Sequence, residues 1–91
     1  MEMRLTVSVR EGGTLIHADG RLSRQGVPEL EGVLETTSGP LTLDLTNLLS
    51  ADDAGVAALR RYAGRGVRLV GVSPYMALLL KPEPPRDTRR G

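Results

Sequence analysis

The carboxylates Asp44, Asp52 and Asp53, the single histidine His17, and the arginines Arg60, Arg61, Arg65 and Arg68 are the side chains with chemical potential in this 91-residue chain. Paired carboxylates suggest acid–base work or a hard cation. Neighbours at i and i+1 do not face each other on a helix, so Asp52 and Asp53 are poorly set to share a proton or one metal ion. A calcium or magnesium site wants several more oxygen ligands, and only Asp44 stands near enough in the chain to add one. His17 has no Ser–Asp pair at useful spacing and reads as a surface or edge residue rather than a base. Gly64-Arg65-Gly66 lacks a third glycine at the spacing of a phosphate loop, and it follows a helix and precedes a strand, the reverse of the dinucleotide pattern. The four arginines read as a solvated face, or as a patch for an acidic partner surface. The expectation is a non-enzymatic protein that binds, with no cofactor and no metal.

Composition bounds the scaffold that positions these groups. A chain of this length forms one small domain that buries roughly 60–65% of its unfolded surface. Tyr62 and Tyr75 are the only aromatics, so the core is built from Leu, Val, Ile and Ala. The absence of Cys excludes disulfides, thiolate metal sites and thiol catalysis. A formal net charge of +1 provides no field for nucleic acid or an anionic membrane. The N-terminal residues alternate and carry charge early, which predicts neither a signal peptide nor a membrane span, and a cytoplasmic location follows as the expectation.

Leu5, Val7 and Val9 alternate with polar residues, the period of a half-buried strand. Gly12-Gly13 marks a turn, and Thr14–Ala18 restarts as a second strand that Asp19-Gly20 ends. Ser23 is the candidate N-cap of a helix running regularly from Val27 to Glu35, with Val27, Leu30, Val33 and Leu34 on its core side. Leu41–Leu45 is a third strand, followed by a loop. Asp52-Asp53-Ala54-Gly55 opens a second helix whose inner face carries Val56, Leu59, Tyr62 and Ala63, and Gly64 and Gly66 end it. Val67–Val72 is a fourth strand. Ser73-Pro74 starts a third helix, with Met76, Leu79 and Leu80 buried. The order β-β-α-β-α-β-α calls for right-handed crossovers and a sheet mostly parallel in its second half.

The stretch Leu41–Gly55, LTLDLTNLLSADDAG, resembles the signature of the STAS domain, the fold of bacterial anti-sigma-factor antagonists. Gly20-Arg21-Leu22 and Gly71-Val72-Ser73-Pro74 fall in the same order, and the resemblance covers roughly Thr14 to Leu80. It implies a small α/β domain over residues 1–80, with a mixed, mainly parallel four-stranded sheet and three helices largely on one face, shortened at its C-terminus. In that family the motif reads Asp-Ser-x-Gly, and a partner kinase phosphorylates the Ser. Asp53 holds the matching position here, so the resemblance implies a fixed or discarded switch. It further implies a partner of the serine-kinase anti-sigma class, bound through Asn47, Ser50, Asp52, Asp53, Ala54 and Gly55. The alternatives are a STAS subunit docking on the ATPase of a lipid-transport ABC complex, and a STAS sensor of small molecules. A shortened domain would leave a sheet edge and a helix face uncovered, which predicts self-association as a homodimer. Residues 81–91 contain three prolines and no apolar pattern, and read as a disordered tail with too few arginines (Arg86, Arg89, Arg90) for a nucleic-acid arm.

Overall fold

Alternation along the first twenty-two residues produces a hairpin. In the computed structural model, which describes residues 3–80, β1 (Arg4–Arg10) and β2 (Gly13–Leu22) run antiparallel, with Thr6 level with His17 and Val7 with Ile16. Gly13 is required at the turn: its φ is +143°, and an added Cβ would stand 2.5 Å from the Pro40 carbonyl oxygen. β2 runs past the Asp19-Gly20 break that the sequence suggests. Gly20 adopts a φ of 95°, its N–H donates to the Asn47 carbonyl at 3.0 Å, and the register slips there, so the strand crosses an irregularity instead of stopping.

The remaining strands close on that hairpin. β3 (Leu41–Asp44) lies parallel to β2, and β5 (Arg68–Val70) lies parallel to β3. A strand without a counterpart in the sequence reading, β4 (Leu48–Ala51), pairs in parallel with β2 over Gly20–Leu22. The sheet is therefore mixed and has five strands, not the expected four. A four-residue strand with Leu48 buried and Leu49 and Ser50 both exposed has no clear period of two, which is why it reads as loop.

Three helices complete the fold: α1 (Val27–Thr36), α2 (Asp53–Gly64) and α3 (Pro74–Leu80). Ser73 caps α3 as its sequence suggests, its hydroxyl oxygen accepting the Met76 N–H at 3.1 Å. Ser23 does not cap α1. It stands a turn too early, and its carbonyl accepts the N–H groups of Gly26 and Val27, leaving Gly26 as an N-cap without a side-chain bond. Pro28 falls in the first turn, where a missing N–H is harmless.

Alternate residues on one sheet face, Ile16, Ala18, Leu22 and Leu43, join Leu30 and Leu34 of α1, Leu59 and Tyr62 of α2, and Met76 of α3 in a single core. The other face, with His17, Asp19, Thr42 and Asp44, is half-exposed. The inner stripe of α2 is Gly55, Ala58, Leu59 and Tyr62, while Ala63 is exposed and Val56 only half-buried. The cause is Gly55, which backs onto β2. A Cβ there would lie 2.5 Å from the Leu22 carbonyl oxygen and 2.9 Å from Leu22 Cγ.

Two helical glycines consequently differ in sign. Gly32→Ala meets no atom within 4 Å, and it should stabilise by about 0.5–1 kcal/mol through helix propensity. Gly55→Ala gains the same propensity but must push back the β2 backbone, so it should destabilise by about 1–3 kcal/mol. Urea unfolding of both variants measures the two shifts.

Candidate functional site

The segment from the end of β3 to the start of α2 is shaped by two carboxylates that do different work. Asp44 Oδ1 accepts the Thr46 N–H at 2.9 Å and the Thr46 hydroxyl at 2.6 Å, bending the chain out of β3. Its Oδ2 faces His17 Nδ1 at 3.4 Å across the β2–β3 ladder. The Thr46 hydroxyl bond first, and the Thr46 N–H second, hold the Asp44 carboxyl below the usual carboxylate range. Gly71 closes over this turn with φ +67°, and an added Cβ would meet Thr46 Oγ1 at 2.1 Å and Asp44 Oδ1 at 2.7 Å. Asp44 is thus committed to the turn and does not join Asp52 and Asp53.

Asp52 is the N-cap of α2, in extended conformation. Its Oδ1 accepts the Gly55 N–H at 2.8 Å, and its Oδ2 accepts the Arg24 N–H at 2.9 Å from the loop after β2. The Asp52 N–H in turn donates to the Leu22 carbonyl at 3.1 Å. The Gly55 bond first and the Arg24 bond second lower the Asp52 pKa. Both carboxylate oxygens are therefore engaged by backbone.

Asp53, one residue on, is exposed, and among the described residues it accepts no hydrogen bond and forms no ion pair. It stands on a ridge between two concavities. One is a polar cleft lined by Ser23, Arg24, Gln25, Asp52 and Ala54. The other is a groove between α2 and α3 lined by Val56, Ala57, Arg60, Tyr75, Leu78 and Leu79, in which Tyr75 and Leu78 are largely exposed.

The six residues singled out from the sequence separate on this framework. Asp52, Asp53 and Ala54 line the cleft together. Gly55 is buried against Leu22, with its N–H taken by Asp52 Oδ1. Ser50 is exposed on β4, level with Arg21, and Asn47 lies in the turn before that strand. The sequence reading missed the Ser23–Gln25 loop and the Tyr75 and Leu78 side of the groove. The Arg24–Asp52 bond joins residues 28 apart and leaves no local signal.

The arginine cluster mostly serves packing. Arg61 pairs with Glu31 and Arg65 with Glu35 at 3.0 Å, both across to α1, and both guanidinium groups lie over the Tyr62 ring. Arg60 donates to the Leu79 carbonyl from Nε at 3.0 Å and Nη2 at 2.7 Å. The Tyr62 hydroxyl donates to Glu35 at 2.9 Å, and burial first, then this bond, pushes the phenol pKa up. Among the described residues no group of three or more acidic or histidine side chains is placed to hold a metal ion, and no helix is long and apolar enough to cross a membrane. No family model matches the chain, and no curated protein matches it.

Because Asp52 is held ionised in the folded state, its stabilising effect is complete above the ordinary carboxylate pKa of about 3.9 and is lost as pH falls through its lower folded value. Asp52→Ala should lower the thermal midpoint at neutral pH, and the gap to the parent should close progressively below about pH 4. Asp53→Ala, lacking those bonds, should show little gap at either pH. Thermal unfolding from pH 7 to pH 2 checks both.

Proposed function

We propose that this chain is a STAS-type protein-interaction module of the anti-sigma-factor-antagonist kind, docking through the first turn of α2 on a partner of the serine-kinase anti-sigma class in the cytoplasm. The observation that carries the reading is the contrast between neighbouring carboxylates. Asp52 is spent on the fold, whereas Asp53 is exposed, has no partner among the described residues, and stands between a polar cleft and the groove of α2 and α3. A helix N-terminus favours negative charge, so the first turn of α2 suits a carboxylate that faces an approaching partner.

Asp53 occupies the position where the family carries its phosphorylatable Ser. Phosphoserine would bring about −1.5 to −2 charges, while the carboxylate brings −1 with two acceptor oxygens. Docking therefore does not cycle with a kinase: the charge is permanent, and the surface stays in one state. The apolar groove beside it provides burial, and Asp53 provides orientation and rejection of mismatched partners.

The test uses a purified anti-sigma factor of the serine-kinase class encoded in the same genome. The parent chain should bind with an affinity that ATP does not change, and Asp53→Arg should weaken binding by about tenfold or more. Asp53→Ser should become labelled by that kinase and then release it. Failure of both parent and Asp53→Ser to bind or be labelled overturns the reading. Stable capture of an ATPase from a lipid-transport complex would reassign the surface to that partner.

A further inference from the structure

β1 is an edge strand of seven residues, the first in the order β1-β2-β3-β5. It pairs with β2 in unbroken register, contains no proline, and carries charge only at its ends, Arg4 and Arg10. Natural sheets blunt such edges with short strands, bulges, prolines or inward charges. The opposite edge, β5, follows that practice with three residues. β1 does not.

Its side chains carry the same signature. Val7 is level with buried Ile16 and Val9 with buried Thr14, so both valines stand on the face that elsewhere forms the core. Leu5 still packs against that core. Val7 and Val9 do not, and they are 48% and 83% exposed. Among the described residues no helix covers this part of the strand and no strand pairs with its outer edge, leaving two β-branched residues beside a row of open backbone groups.

We infer that β1 pairs antiparallel with β1 of a second copy of this chain, about a two-fold axis at Ser8, so that the two sheets become continuous. This surface is separate from the ridge at Asp53, and the inference does not depend on the function proposed for that ridge. The register follows from complementarity. For both copies to keep their apolar residues on one side, facing residues must share odd or even number. An axis at Val7 would set Arg4 opposite Arg10 twice, and like charges in direct opposition destabilise a ladder. An axis at Thr6 would carry Val9 beyond the start of the partner strand at Arg4. An axis at Ser8 sets Val7 opposite Val9 on both sides of the centre, joining four exposed valines, and faces Thr6 with Arg10.

The chain has no cysteine, so one engineered thiol reports the register. Facing residues of an antiparallel pair have Cα atoms about 4.5–5.5 Å apart, within disulfide reach. Ser8→Cys should therefore cross-link to a dimer under mild oxidation at least about tenfold faster than Val7→Cys, which faces Val9 rather than itself. Val9→Lys alters a side chain outside the core. It should retain the parent's circular dichroism and weaken dimerisation in sedimentation by about tenfold or more. A parent that sediments as a monomer up to the solubility limit overturns the inference. So does a dimer that Val9→Lys leaves intact, or cross-linking of Thr6→Cys or Val7→Cys as fast as Ser8→Cys.

Discussion

Asp52 ties together three pieces of backbone. Its amide is bonded to the end of β2, one carboxylate oxygen holds the loop leading to α1, and the other holds the first turn of α2. Charge-assisted bonds of this kind are stronger than neutral ones, and two of them on one carboxylate fix its direction. With the start of α2 fixed to β2, Gly55 is pressed onto Leu22, and the helix is rotated so that Leu59 and Tyr62 meet the core. The position of Asp53, and of both concavities beside it, follows from that clamp.

The same division recurs elsewhere in the domain. Groups with chemical potential are mostly consumed by architecture: Asp44 by its turn, Arg61 and Arg65 by α1, Arg60 by the end of α3. Five large apolar or aromatic side chains, Val7, Val9, Leu49, Tyr75 and Leu78, lie outside the core. A core without Phe or Trp is filled by five fully buried aliphatic side chains, Ile16, Leu22, Leu30, Leu43 and Leu59. Such a core has no spare large residue with which to cover the edge of β1 or the rim of the α2–α3 groove.

Local chemistry announced itself in the sequence, and distant partnership did not. The hairpin alternation, the start of α1 at Val27 and the Ser73-Pro74 start of α3 were legible because each depends on residues a few positions apart. The strand β4 was not, since its identity comes from the backbone of Gly20–Leu22 and not from its own pattern. For the same reason β2 was read as ending at Asp19-Gly20: glycine tolerance of positive φ marks equally well a stop and an irregularity that continues. At the site, the carboxylates were visible as a pair, but the sequence could not say which would be consumed. That depended on Arg24, a residue brought to Asp52 only by the fold.

The way β2 is shared has a consequence in time. Its pairing with β1 closes over a two-residue turn, whereas every parallel ladder, β2 with β3, β2 with β4 and β3 with β5, closes over more than twenty residues. Short loops close in tens of nanoseconds and hairpins form within microseconds, while non-local parallel ladders must first overcome larger chain entropy. The β1–β2 hairpin thus has the kinetic means to exist before α1 and α2 arrive. The long edge of β1 therefore belongs to the ladder with the smallest closure cost, while the ladders that bring the helices onto the sheet carry the larger one.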